Sequence, residues 1–321
     1  MSGDRPRALI LAGPTASGKS ALALTIAERH GGTIINADSM QIYRELRVIT
    51  ARPTPEEEAR VQHRLYGVRP AAEAASVAWW RERALAEMAA VRAEGRLPIL
   101  CGGTGLFFRA LTHGLSAIPA VPAAAREEAR RLLAERGAPA LHAMLAAEDP
   151  ETAARLRPSD SQRIARAWEV WRGTGRGLAA WQAGEGTGAA PWHFAAIRLD
   201  PPRDALRAAI AARWHAMLRA GAMEEVRALV AAGLDPALPA MRAHGVPELA
   251  AHLAGRMTLE QASTRAILNT GQYTRRQATW FRHHELAPAA RTHIIHARFA
   301  GFEQFSQSEQ REFFAFLDGV C

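Results

Sequence analysis

Lysine is all but missing from this sequence. It occurs once, at Lys19, among 40 basic residues, so arginine supplies the other 39. An Arg- and Ala-rich composition explains most of that imbalance, and it makes the one compact ammonium stand out against a background of planar guanidinium forks. Cysteine is scarce too. Cys101 and Cys321 cannot build a disulfide framework, and neither has metal-ligand spacing. No apolar run approaches the roughly 18 residues that span a bilayer, and Met1–Pro6 carries no apolar signal core. The expectation is a cytoplasmic protein without a membrane segment. Disordered or repetitive composition is likewise absent, at 48% hydrophobic and 22% charged residues. A chain of 321 residues makes about two domains and folds without a metal or disulfide staple. The net charge of +8 favours a polyanionic partner.

The pattern that is present is α/β. Ala8–Ala12 reads as a central strand, Lys19–His30 as a helix ended by Gly31-Gly32, and Thr33–Asn36 as the next strand. A helix over Val77–Glu94 precedes a strand at Leu97–Cys101, and Phe194–Leu199 and Thr292–His296 are two more strands. Strands separated by helices imply a parallel sheet flanked by helices. From Pro122 to about Trp181 the chain reads as helical throughout, closed by a flexible Gly184–Gly188 linker. The expected organisation is a P-loop α/β core of residues 1–121 and 192–321, with an all-helical insertion domain over 122–191.

Gly13-Pro14-Thr15-Ala16-Ser17-Gly18-Lys19-Ser20 matches G-x-x-x-x-G-K-[ST] between a predicted strand and a predicted helix. Inward-turned backbone amides, the helix N-terminus and Lys19 suit a di- or triphosphate, and the Ser20 hydroxyl suits Mg²⁺. Enzymes that hydrolyse ATP or GTP usually present a strand ending in Asp to hold the metal. Here Leu97–Cys101 runs into Gly102-Gly103-Thr104-Gly105, with no acid. Asp38, just after Thr33–Asn36, is the acid nearest a strand end. It can ligate metal through water, cap a helix or act as a base. Thr104 and Asp38 both belong at the carboxyl ends of strands, where the phosphate binds. On the helix from Arg203, Arg213 falls inside the apolar stripe of Leu206, Ile210 and Met217, facing inward where a buried anion would neutralise it; the other reading is an arginine snorkelling from the edge of that stripe.

With the P-loop, Asp38-Ser39-Met40-Gln41-Ile42-Tyr43, Gly102–Phe107 and the late run Gln272–Arg282 in that order, the chain resembles the bacterial tRNA dimethylallyltransferase (isopentenyltransferase) family from Leu9 to about Arg282. The resemblance implies transfer of dimethylallyl from dimethylallyl diphosphate to N6 of the adenosine 3′-adjacent to the anticodon of tRNAs. It implies Asp38 as the base on N6, Thr104 near the bridging oxygen, and Arg213, Lys19, the loop amides and Mg²⁺ at Ser20 on the diphosphate. It further implies tRNA contacts from Asp38, Ser39, Met40, Gln41, Thr104, Arg126, Gln162, Arg163, Arg166, Arg242, Arg275 and Arg276; the expected oligomeric state is a monomer. Gln41 is suited to pair bidentately with adenine. Residues 261–284 lack any acid while carrying Arg265, Arg275, Arg276 and Arg282 interleaved with Tyr273, Trp280 and Phe281, a composition fit for gripping single-stranded RNA, although Trp280 and Phe281 fit a core equally well. One departure stands out: where the family commonly reads V-G-Y-[RK]-E, this chain has Ala243-His244-Gly245-Val246-Pro247-Glu248. The alternative to the transferase is a P-loop kinase of a nucleoside or small metabolite, with Asp38 as base toward a hydroxyl. A further one is an RNA-binding protein whose P-loop is a nucleotide switch.

Overall fold

The structure is a computed structural model that describes residues 5–320. The chain opens with β1 (Arg7–Ala12), α1 (Lys19–His30), β2 (Gly32–Asn36), α2 (Pro55–Arg60), β3 (His63–Arg64), α3 (Val77–Ala93), β4 (Leu97–Gly102) and α4 (Gly105–Thr112). Then come α5 (Ala123–Glu148), α6 (Pro150–Ala154), α7 (Ser161–Thr174) and α8 (Leu178–Ala183). The remainder is β5 (His193–Leu199), α9 (Arg203–Arg219), α10 (Ala222–Ala231), α11 (Val246–Leu253), α12 (Leu259–His283), β6 (Thr292–Ile295) and α13 (Gln307–Val320).

Six strands form one sheet in the order β3-β2-β4-β1-β5-β6, and every pairing is parallel. β1 is buried on both faces from Ala8 to Ala12, which is why its sequence is an unbroken apolar run. One face packs Ile10, Ile35, Leu100 and Ala196 against Trp80, Phe108 and Phe281. The other packs Leu9, Leu11, Ile34 and Ile197 against Leu22, Ile26 and the aromatic C-terminal residues Phe299 and Phe313. The two-residue β3 was not expected from the sequence, because His63-Arg64 is too short to show any alternation.

The chain divides into two compact units, residues 1–112 with 190–321, and residues 113–189. The second is built from α5 to α8. Its helical stretch is not continuous: Gly137, at φ 76° and ψ 169°, breaks α5 just before Pro139. Asp149 and Asp160 then cap α6 and α7 by accepting the Thr152 and Arg163 amides. Leu132, Leu141, Leu145, Ile164 and Trp168 form this unit's own core.

Candidate active site

Three loops at the carboxyl ends of β1, β2 and β4 meet over the sheet. The first is the glycine loop. Gly18 caps α1 at φ 89°, a left-handed conformation that favours glycine, and a Cβ there would lie 2.0 Å from the Phe299 carbonyl oxygen. The Phe299 amide donates to the Ser17 carbonyl at 2.9 Å and Arg298 Nε donates to the Ala16 carbonyl at 3.1 Å. The turn is thus fastened from outside by the segment after β6. Lys19 Nζ donates to the Pro14 carbonyl at 3.4 Å, so its ammonium curls back over the loop. The Ser20 side chain is exposed at the start of α1.

The second loop follows β2. Buried Asn36 accepts from the Asp38 amide at 2.8 Å and donates to the Asp38 and Leu65 carbonyls, while the Trp80 indole donates to the Asn36 carbonyl. Asp38 Oδ1 accepts from the Met40 amide at 2.9 Å, so the carboxylate caps its own turn. The third loop is stitched to the second. The Thr104 amide donates to the Ala37 carbonyl, and the Thr104 hydroxyl accepts the Ser39 amide at 2.9 Å and reaches Ser39 Oγ at 3.3 Å.

Arg213 enters from α9, its Nη2 donating to the Thr50 carbonyl at 2.9 Å. Burial lowers the pKa of both Lys19 and Arg213, Arg213 depresses Lys19 further, and the Asp38 carboxylate opposes the shift at each cation. One carboxylate therefore sits in the field of two partly desolvated cations, an arrangement that is short of negative charge until an anion arrives. Among the described residues no group of three His, Cys, Asp or Glu side chains could hold a metal.

Gln41 Nε2 donates to the Thr50 and Ala51 carbonyls at 3.0 and 2.9 Å. Both amide hydrogens are therefore committed, and the bidentate pair with adenine read from the sequence is not available; Oε1 is left to accept. Ser39 and Met40 are half-buried beside Asp38. Arg275 and Arg276 project from the exposed side of α12, and Phe281 on its other side is core. Trp280 stacks on His284 with ring centroids 4.1 Å apart. Arg242 is exposed in a short 3₁₀ turn. In the divergent segment, buried Val246 stands where the family's Tyr is expected, and His244 packs on Tyr273 with centroids 4.8 Å apart. In the separate helical unit, Arg126, Gln162, Arg163 and Arg166 are all exposed, with Arg163 and Arg166 paired to Asp160 and Glu169.

Two residues of the site were not singled out from sequence. Gln277 on α12 bonds to both Thr15 and Gly103. Glu225 on α10 accepts the backbone amides of Arg47, Val48 and Ile49 at 2.7–2.9 Å. That second contact holds the turn whose Thr50 carbonyl orients Arg213 and Gln41.

A parallel sheet, a glycine loop between its central strand and the first helix, and polar side chains gathered at strand carboxyl ends define a P-loop α/β protein. The chain belongs to the IPP transferase family, whose model matches residues 41–284. The tRNA dimethylallyltransferase of Granulibacter bethesdensis is 60% identical over 311 residues, covering 97% of this chain and 98% of that relative. The enzyme of the same name from Acidiphilium cryptum is 59% identical over 310 residues, covering 97% and 94%. Among solved structures, the full-length tRNA isopentenylpyrophosphate transferase from Bacillus halodurans aligns with a TM-score of 0.69 at 30% identity, covering 98% of this chain and 97% of that one. A eukaryotic dimethylallyltransferase acting on tRNA shares the fold at a TM-score of 0.77 and 21% identity, covering 97% and 80%.

Proposed function

We propose that this protein transfers the dimethylallyl group of dimethylallyl diphosphate to N6 of the adenosine 3′-adjacent to the anticodon of tRNAs, releasing diphosphate. The observation that carries this reading is that the Asp38 carboxylate, held in the loop after β2, acts electrostatically on both desolvated cations, Lys19 of the glycine loop and Arg213 of α9. The adenine amine is a weak nucleophile, because its lone pair is delocalised into the ring. It needs a base on its proton and an electrophile that ionises readily. Asp38 takes the N6 proton as the N6–C1 bond forms. The C1–O bond breaks, and its electron pair passes to the bridging oxygen of the leaving diphosphate. The Thr104 hydroxyl can turn its proton from Ser39 Oγ to that oxygen. Lys19, Arg213 and the amides of Gly13–Ser20 offset the charge that gathers there.

The oxygen-only donor set, one Ser20 hydroxyl plus the diphosphate itself, suits Mg²⁺, which keeps most of its waters and needs no protein cage. That ion would supply further neutralisation of the leaving group. For tRNA, the exposed Arg275 and Arg276 of α12, with Arg242, suit backbone phosphates. Arg126, Gln162, Arg163 and Arg166 suit the anticodon stem-loop. The target adenosine must leave its stack to reach Asp38, where Ser39, Met40 and Gln41 Oε1 line its approach. No helix among the described residues is long and apolar enough to cross a membrane, and we place the protein in the cytoplasm as a monomer. Incubation with unmodified tRNA and radiolabelled dimethylallyl diphosphate, beside an ATP-turnover assay, tests the reading: label is expected in tRNA. Phosphoryl transfer from ATP without labelled tRNA would favour a kinase and overturn it.

A further inference from the structure

Gln277 is 5% exposed on the inward side of the helix that carries Arg275 and Arg276 outward. Its amide is used at both ends. Oε1 accepts from the Thr15 backbone N–H at 2.9 Å and the Thr15 hydroxyl at 3.2 Å, and Nε2 donates to the Gly103 carbonyl at 2.9 Å. Thr15 belongs to the diphosphate cradle. Gly103 precedes Thr104, whose hydroxyl holds the Ser39 amide beside Asp38. A single side chain therefore spans the loop under the leaving group and the loop that carries Thr104 and steadies the base. The fit is close: a Cβ on Gly103 would lie 2.3 Å from Gln277 Nε2, so that loop is pressed against the amide. The site asks for an acceptor and a donor, in fixed order, at the end of a two-methylene stem. Asparagine is too short, glutamate has no donor while charged, and methionine has neither.

We infer that Gln277 is a positioning residue for the transfer, whose amide sets the spacing between the diphosphate cradle and the Thr104–Asp38 side of the site. The inference rests on the reaction proposed above. Displacement at C1 needs the leaving oxygen, C1 and N6 in line, and the two ends of that line are held by the two loops that Gln277 joins. Loss of the tie leaves each substrate's own contacts in place and relaxes their mutual alignment, so the defect belongs in kcat rather than in KM.

The test compares wild type, Gln277→Met and Gln277→Glu for kcat, for KM of both substrates and for thermal melting, from mildly acidic to mildly basic pH. Gln277→Met is expected to lower kcat about 10- to 100-fold while both KM values stay within about threefold. Gln277→Glu supplies the conservative rescue. A protonated carboxyl repeats the order of the amide, its C=O accepting from Thr15 and its O–H donating to Gly103. The titratable groups around this corner are Tyr273 of α12, whose phenol is hydrogen-bonded to Gln277, and His244 packed on its ring; the charges of Asp38 and Arg276 reach that phenol, and Asp38 is in turn coupled to Lys19. Burial at a position only 5% exposed raises the introduced acid's pKa, with the Asp38 carboxylate acting in the same direction and the Arg276 and Lys19 cations against it. The ratio of variant to wild-type kcat should therefore climb as pH falls, a response that a merely structural role would not produce. Variants that match wild-type kcat, or a loss confined to KM with a pH-independent ratio, would overturn the inference. If the methionine variant does not fold, the glutamate ratio decides alone. A wild type that transfers nothing overturns the functional reading itself, which is a different result from an active wild type equalled by its variants.

Discussion

Asp38 and Lys19 stand at opposite ends of the proposed bond exchange, and each admits a decisive substitution. Asp38→Ala removes the proposed base and one turn cap, yet leaves Asn36, Thr104 and the rest of the loop stitching in place. Transfer should slow by at least about 10²-fold while a filter-binding measurement of tRNA affinity stays near wild type. Retained turnover would mean the carboxylate only caps its turn. Lys19→Arg keeps the charge but puts a broad fork where an ammonium folds back on the Pro14 carbonyl. Transfer at saturating dimethylallyl diphosphate should fall on the order of 10²-fold through misplacement of the leaving group, with the melting temperature unchanged. At this scale the legible residues were those that chemistry ties to short motifs at strand ends. Gln277 was not legible, because its partners are a backbone amide 262 positions away and a carbonyl 174 positions away. Nothing in a linear pattern marks a glutamine for backbone so distant.

At the scale of elements, the turn over residues 47–52 depends on α10. Glu225 gathers three consecutive amides, and the far side of the turn presents the Thr50 carbonyl to Arg213 and Gln41. Glu225→Ala strands those donors and should cost about 2–4 kcal/mol of stability, read by denaturant unfolding, together with a rise in KM for dimethylallyl diphosphate as Arg213 loses its anchor. Helix α12 has two duties on two faces. Its buried Ala262, Ala266, Thr274, Gln277 and Phe281 follow the helical repeat visible in the sequence; of the aromatics interleaved with arginine there, Phe281 is core and Tyr273 and Trp280 are half-buried, Trp280 packed against that core. Arg275→Ala with Arg276→Ala should weaken tRNA binding and flatten the slope of log affinity against log salt by up to about 1.8, leaving dimethylallyl diphosphate affinity as it was. An identical slope would mark the basic face as merely solvated.

For the whole molecule, the insertion of residues 113–189 interrupts a unit whose cut ends are neighbours: the Ala190 amide donates to the Leu111 carbonyl at 2.8 Å. The helical unit has a core of its own. Replacing 113–189 by a short glycine-serine linker should therefore leave a chain that folds and binds dimethylallyl diphosphate, since closing a short loop costs little. Its tRNA affinity should drop at least about tenfold with the loss of exposed arginines. Calorimetry with the diphosphate and a tRNA gel-shift separate the two effects. The sequence conveyed the alternation of strands and helices, and hence the parallel sheet, because buried strands and capped helices announce themselves locally. It could not convey that Arg298 and Phe299 would fasten the glycine loop, since that contact is made between the two ends of the chain.

The solitary lysine turns the cradle into its own reporter. Apart from the α-amino group, the chain has a single primary amine, and burial lowers its pKa so that more of it is neutral and nucleophilic at a given pH. A small acylating reagent would thus mark a vacant site, at the proposed diphosphate cradle, by one mass increment on the Lys19 peptide. Ligand at the loop would erase that increment, giving a footprint of binding that needs no labelled substrate and has no second lysine to compete with it.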